Sequence, residues 1–217
     1  MTGRGSGLES TRQPNVKRHD TRTVGYYSDQ DTQRADVMKY CSNCGSTVDL
    51  QVPKGDNLPR HVCRDCGEIH YQNPKIVAGC IAEWEDQILL CRRAIEPRYG
   101  LWTIPAGFME NGETLENAAR RETQEEACAK VKLTGLYALY NIPHVNQVYI
   151  IFRGLLVDGA FSPGIESLET ALFKKGQIPW NKLAFPVIAR SLERYFLDQP
   201  EQRFDTFIDT VSPTPRC

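Results

Sequence analysis

Read for the spacing of its apolar residues, the chain falls into three stretches. Residues 1–37 are polar, rich in Gly, Ser, Thr, Arg and Asp, and show no apolar period. Nothing there favours burying a face, so the pattern predicts a disordered tail. Five acidic residues and the lack of an amphipathic stripe argue against a targeting peptide, and Met38, directly before KYCSNCG, offers an alternative start of translation. Residues 38–72 hold too few apolar side chains for a core of their own: Val48 to Val52 predicts a short strand, PKGDNLP a turn, and the following residues the start of a second strand. From Lys75 the apolar runs lengthen. IVAGCIAEW (76–84) and QILLCRR (87–93), joined by Glu85-Asp86, predict a hairpin, and GLWTIPAGF (100–108) a loop with a short strand. VKLTGLYALY (131–140), NQVYIIFRGLLV (146–157) and ALFKK (171–175) predict three further strands. A helix starting near Pro186 carries Val187, Ile188, Leu192, Tyr195 and Phe196 on one side. There is no internal repeat. The order of elements predicts an α+β fold in which a mixed sheet is flanked by helices over residues 73–200, with 201–217 as a C-terminal tail.

One helix breaks the ordinary rule of apolar residues inside and charges outside. It begins at Thr114, a good N-cap. With Leu115 as the origin of a wheel at about 100° per residue, Ala118, Ala119, Glu122, Glu126 and Ala129 fall within about 60° of it, and Glu125 lies beside them. Glu122, Glu125 and Glu126 are spaced i, i+3 and i+4, so their carboxylates converge, and like charges at that spacing oppose helix formation by about 0.2–0.5 kcal/mol per pair. A solvated acidic face with i to i+4 ion pairs is the plain alternative. Because the stripe is continuous with inward-facing Leu and Ala, the pattern points to a cage of hard oxygen ligands suited to Mg²⁺ or Mn²⁺. Arg120 and Arg121 precede the carboxylates and can orient or balance one of them.

Composition adds limits. Of 217 residues, 41% are hydrophobic and 24% charged, enough for one main core and a small appendage, and 26 Lys+Arg nearly balance 27 Asp+Glu. Overall charge therefore gives no reason to expect nonspecific nucleic-acid or membrane binding. No apolar run approaches the roughly 18 residues needed to span a bilayer, and no signal-peptide core opens the chain; the expectation is a cytoplasmic protein with no membrane contact.

The eight cysteines sharpen the picture of the second stretch. Cys41 with Cys44, and Cys63 with Cys66, form two CxxC pairs separated by 18 residues. In a reducing compartment such pairs point to metal more than to disulfides. Each pair can give two thiolates to one tetrahedral Zn²⁺, Gly45 and Gly67 allow the tight turn after each knuckle, and zinc then supplies the folding energy that the small core lacks. Cys80 and Cys91 lie in apolar strands and read as small buried hydrophobes.

Gly107, five residues, Glu113, seven residues, then Arg121-Glu122-Thr123-Gln124-Glu125-Glu126-Ala127-Cys128-Ala129 resembles the Nudix box, GX5EX7REUXEEXGU, where U is aliphatic. Every charged position fits. Thr123 replaces an aliphatic residue, and Cys128 replaces a glycine that ends the helix in a left-handed conformation, at a cost of about 1 kcal/mol; a locally altered helix end is expected. The four-cysteine ribbon, YQNPKIVAG, the box and ESLETALF together look like the branch holding NADH pyrophosphatases and, more closely, plant chloroplast FAD pyrophosphatases. The NADH-type enzymes carry SQPWPFP after the box, where this chain has YNIPHVNQVYIIF.

The resemblance implies a Nudix-type α/β/α sandwich preceded by a zinc ribbon, and metal-dependent hydrolysis of a diphosphate linking a nucleoside to another group. FAD would give AMP and FMN; ADP-ribose would give AMP and ribose 5-phosphate. It also implies a metal cage from the Ala106 carbonyl, Glu122, Glu126 and Glu166, with Glu125 near the metals or the water, Glu125 or Glu122 as base, and Arg121 beside them; relatives with this layout are commonly homodimers. Weaker candidates to contact substrate are Gly107, the arginines Arg92, Arg93 and Arg98, the rings of Trp102, Tyr140 and Tyr149, which could stack on a base or pack in the core, and His144. Tyr71, Asn73 and Pro74 are expected to fix the ribbon against the hydrolase. Other readings are a ribbon-based nucleic-acid adaptor and an enzyme that removes NAD caps from RNA. Against the adaptor, Lys54, Arg60 and Arg64 face Asp49, Asp56 and Asp65 in the ribbon, a poor footprint for a phosphate backbone.

Overall fold

The computed structural model describes residues 38–213; the expected disordered tail and residues 214–217 lie outside the described residues. The ribbon is a three-stranded antiparallel sheet of β1 (Val48–Gln51), β2 (Arg60–Cys63) and β3 (Ile69–His70), in that order. Asp56 builds the connecting turn by accepting from the amides of Asn57 (2.7 Å) and Leu58 (3.1 Å) and from Arg60 Nε (3.0 Å), the usual way an aspartate replaces a backbone partner in a turn. The segment 71–76 is exposed, and Tyr71, expected to brace the ribbon against the larger domain, instead lies under the ribbon's own Arg60, 5.1 Å from guanidinium to ring.

The second sheet is built around β4 (Lys75–Trp84), paired antiparallel with β5 (Gln87–Arg93) at their shared turn and parallel with β9 (Gln147–Leu156). Its order is β10 (Ser167–Phe173), β5, β4, β9, β8 (Val131–Ile142), β11 (Phe207–Thr210), a mixed sheet as expected. Strands of period two explain the layers. On β4, Val77 and Ile81 join a core with Val187, Ile188, Leu192, Tyr195 and Phe196 of α2 (Pro186–Asp198), while Ala78, Cys80 and Ala82 face Ala118, Ala119 and Ala127 of α1 (Leu115–Ala127). Cys80 and Cys91 are buried there, and desolvation pushes both thiols up.

Two features depart from the sequence expectation. Residues after 200 do not trail away: β11 pairs parallel with Ala138–Asn141. Aromatic packing holds it, with Phe207 edge-on to Tyr137 (5.3 Å) and Tyr140 (5.6 Å) and Phe204 stacked on Tyr195. Second, the end of α1 is not altered. Cys128 adopts the left-handed conformation itself (φ 47°), and its amide and that of Ala129 close the helix on Gln124 and Thr123 carbonyls at 3.0 and 3.5 Å. Thr123, where an aliphatic residue was expected, is buried and satisfies its hydroxyl on the Ala119 carbonyl at 2.8 Å.

Between the paired ends of β4 and β5 the sheet splits. β6 (Trp102–Thr103) attaches to β5 and β7 (Ala106–Phe108) to β4. The loop Ile104–Pro105 bridges that split, and the mouth it leaves is where α1 presents its glutamates.

Candidate active site

A cleft of about 880 Å³ opens at the split, bounded by β7, the inner edge of α1, the turn before β10 and the residues after β5. Thr114 caps α1, its hydroxyl accepting from the Asn117 amide at 3.3 Å, as predicted. Two and three turns later the helix delivers Glu122 and Glu126 to the cleft, 8% and 6% exposed, with Glu125 exposed at the rim. Gly107 makes room for this approach: a Cβ there would collide with the Glu122 carboxyl group. Glu126 Oε2 accepts from the Ala106 amide at 3.2 Å. Glu166 lines the same cleft from the turn before β10.

The electrostatics are those of crowded carboxylates. Burial pushes the Glu126 carboxyl up to about 8, only partly opposed by the Ala106 amide, and the neighbouring charge of Glu122 adds to the rise. Burial likewise raises Glu122, against the pull of Arg121. Arg121 is the hub: it donates to Glu122 Oε1 (2.7 Å), Glu125 Oε2 (2.9 Å), both oxygens of Glu113 (2.8 and 3.1 Å) and the Phe108 carbonyl (3.0 Å). Expected to orient or balance one carboxylate, its guanidinium is engaged by protein acceptors around Glu122 and Glu125. Glu113, the first glutamate of the box, is turned to Arg121 and to the Glu110 amide (2.7 Å).

The other sequence candidates divide. Arg93 lines the cleft, its Nε on the Pro97 carbonyl (3.0 Å) and its guanidinium 5.2 Å from the Phe185 ring. Gly107 and Tyr149 line it too. Trp102 does not: it is a core residue, edge-on to Phe173 at 4.9 Å, because its strand points the indole away from the mouth. Tyr140 is buried in the same core and Arg92 pairs with Glu169 (3.0 Å). The residues after β5 that include Arg98, and the short turn Pro143–Val145 that holds half-buried His144, leave those two side chains off the cleft wall. What sequence reading missed is the apolar side of the cleft, formed by Val77, Ile95, Phe108, Met109, Ile165 and Phe185. The only signal for it was the adjacency of Phe108 and Met109 to Gly107.

In the ribbon the four thiols are gathered without disulfides. Cys41 and Cys66 Sγ lie 3.7 Å apart, Cys44 and Cys63 Sγ 3.4 Å, and all four lie within 4.8 Å of one another. A tetrahedral Zn–S bond of about 2.3 Å requires sulfurs about 3.8 Å apart, so the set fits zinc. Gly45 (φ 78°) and Gly67 (φ 72°) take the left-handed turns expected after each knuckle, and His70 Nε2 sits 3.3 Å from Cys41 Sγ.

Comparison with known proteins agrees with this division. Residues 39–72 match the family model described as Nudix N-terminal, and residues 73–192 match that of the NUDIX domain. The NAD-capped RNA hydrolase NudC of Photobacterium profundum is 32% identical over 144 residues, covering 64% of this chain and 50% of the relative, so this chain spans about half the length of that protein. The ADP-ribose pyrophosphatase of Methanocaldococcus jannaschii is 33% identical over 119 residues, covering 53% of this chain and 69% of the relative. A crystal structure of a NUDIX hydrolase from Nitrosomonas europaea is 53% identical, covers 80% of this chain and 99% of its own, and superposes with a TM-score of 0.78. With a box helix aimed into a cleft, a four-thiol ribbon before it and both modules matched in order, the chain belongs to the Nudix hydrolases that carry an N-terminal zinc ribbon.

Proposed function

We propose that this Nudix hydrolase cleaves the pyrophosphate bond of a nucleoside diphosphate joined to a second group, FAD or ADP-ribose, and that Glu122, Glu126, Glu166 and the Ala106 carbonyl hold Mg²⁺ or Mn²⁺, with Glu125 beside them. The observation that carries the reading is the burial of Glu122 and Glu126 in one cleft, tight against Gly107 and the Ala106 amide, with Glu166 lining the same cleft. A buried carboxyl raised to about 8 is unfavourable as an anion unless a cation joins it, and the donors are all hard oxygens. A cation held by these oxygens would supply neutralisation of the nonbridging phosphate charge and a more acidic water.

The protein's own groups do the rest. The water oxygen bonds to phosphorus as the anhydride P–O bond breaks, the second phosphate departs as a phosphomonoester, and the water's proton passes to Glu122 or Glu125. Arg121, shared between these two, fixes their oxygens. Arg93, the cation whose field reaches Glu126, is placed to meet a phosphate across the cleft. The apolar wall of Phe108, Met109 and Ile95 gives a planar ring a face to rest on. In the ribbon, Cys41, Cys44, Cys63 and Cys66 hold Zn²⁺ as a folding element.

A second reading, hydrolysis of NAD caps on RNA, is favoured by the similarity to proteins named for that activity. One assay separates the readings: FAD, ADP-ribose, NADH and NAD-capped RNA, each with Mg²⁺ or Mn²⁺, scored for phosphate released by an added phosphatase. Turnover confined to FAD or ADP-ribose supports the first reading, and preference for capped RNA supports the second. Silence on all substrates, with salt-sensitive nucleic-acid binding, would return the chain to the adaptor reading.

A further inference from the structure

The turn that carries Glu166 is built onto the last turn of the box helix, and one residue makes the joint. The Gly164 amide donates to the Glu126 carbonyl at 3.0 Å, and its carbonyl accepts from the Ser167 amide at 3.1 Å, closing a turn whose two central residues are Ile165 and Glu166. The neighbouring Ser162 amide donates to the Ala127 carbonyl at 2.9 Å, and the Glu166 carbonyl is held by the Ala94 amide at 2.8 Å. The bonds to the Glu126 and Ala127 carbonyls use acceptors that have no partner within α1. There is no room for a side chain at the joint: a Cβ on Gly164 would run into the Glu125 carbonyl oxygen and lie 2.8 Å from the Glu125 carbonyl carbon and 3.2 Å from that of Glu126. The cleft therefore receives Glu126 and Glu166 from two chain segments whose backbones are bonded to each other, Glu126 by its side chain on one side and by its carbonyl on the other.

We propose that Gly164 is a positioning residue that sets the reach of Glu166 toward Glu122 and Glu126. This rests on the metal-holding role given to Glu166 above. Gly164→Ala must lift the turn off α1, moving Glu166 while leaving every carboxylate in place chemically. The test is a double-mutant cycle on the full chain with Mn²⁺ as probe, measuring bound Mn²⁺ by electron paramagnetic resonance alongside kcat and KM for ADP-ribose or FAD, whichever is turned over. Gly164→Ala is expected to weaken Mn²⁺ binding and lower kcat by about 10–100-fold, the cost typical of disturbing groups that orient a metal ligand. In a Glu166→Gln background the same change is expected to cost no more than about twofold, since its route of action is gone.

Equal losses in both backgrounds would overturn the proposal and assign Gly164 a general packing role, as would an unchanged Gly164→Ala enzyme. If Glu166→Gln alone leaves Mn²⁺ binding and turnover intact, the reading of Glu166 falls, and this proposal with it. Should Gly164→Ala not fold, Pro163→Gly, which loosens the same turn without filling space, goes through the same cycle with the same two opposed outcomes.

Discussion

The ribbon and the box helix gather side chains that repel one another in opposite ways. In the ribbon all four sulfurs are drawn to within 4.8 Å, and amides of Asn43 and Cys66 already point at sulfur at 3.4 and 3.5 Å. The closed set leaves no position for a substrate. In the cleft the carboxylates line one space on separate partners: Arg121 Nη1 bridges Glu122 and Glu125, the Ala106 amide holds Glu126, and the backbone of Glu166 is fixed by its turn. That open arrangement leaves room for phosphate oxygens and water among the ligands, as Mg²⁺ chemistry needs. One site is built to finish a fold and the other to leave work undone.

The largest effect should come from the open site. Glu126→Gln keeps the shape and the bond from the Ala106 amide while removing a charged ligand, so turnover is expected to fall by about 10³-fold or more with the fold intact. A variant retaining more than a tenth of native kcat would break the comparison, since Glu126 would then be an ordinary buried carboxyl.

The closed site should show the converse. Cys63→Ser removes one of the four proposed zinc ligands, and metal-linked folding energy should go with it. The expected outcome is loss of one equivalent of zinc and rapid hydrogen exchange confined to residues 41–70, with the sheet around β4 still protected. Unchanged zinc content, read by atomic absorption, would show that these thiols are not the cage.

A third expectation concerns pH in the metal-free protein. The Glu126 carboxyl is raised in the fold from the ordinary 4.5 to about 8. A raised value means the folded state holds its proton longer than the unfolded state does, so this contribution to stability is complete below about pH 4.5 and is lost as pH climbs through about 8. In chelator, Glu126→Gln should match the native protein at pH 4.5 and melt several degrees higher at pH 8.5. Saturating Mg²⁺ should reverse that order, because it binds and stabilises only the native cage. Parallel melting curves across the range would remove the electrostatic argument.

Much of this was legible in sequence because it rests on local spacing. The CxxC pairs, the Thr114 cap, the stripe of α1 and the apolar side of α2 are each set within a few residues, and each stands where the spacing placed it. What spacing could not show was decided by distant partners. The strand Phe207–Thr210 is short and half polar, and it exists because Tyr137, Tyr140 and Tyr195 offer rings to pack on. Trp102 looked like a stacking platform beside the box but faces the core, since a two-residue strand gives no period from which to read its face. Gly164 carries no side chain and no motif; its role appears only when the Glu125 carbonyl is seen beside it.

The smallest effect belongs to Cys128, and it tests whether the end of the box helix is strained by its unusual residue. At φ 47° the residue sits where a non-glycine side chain costs about 1 kcal/mol. Cys128→Gly removes that cost, but glycine also gains freedom in the unfolded chain, which takes back about 0.4–1 kcal/mol. The exposed thiol adds little packing and reaches the Pro163 carbonyl only at 3.9 Å. The net expectation is therefore a gain between zero and about 0.6 kcal/mol, at most about 2 °C in Tm for a chain of this size. Cys128→Val, whose branched side chain fits the left-handed region worse than cysteine, is expected to lose about 1 kcal/mol instead. Because the Cys128 and Ala129 amides must still close on Gln124 and Thr123, kcat should follow stability in neither variant. A valine variant as stable as the glycine one would mean that the turn docked on this helix end, and not the residue at it, fixes the backbone there.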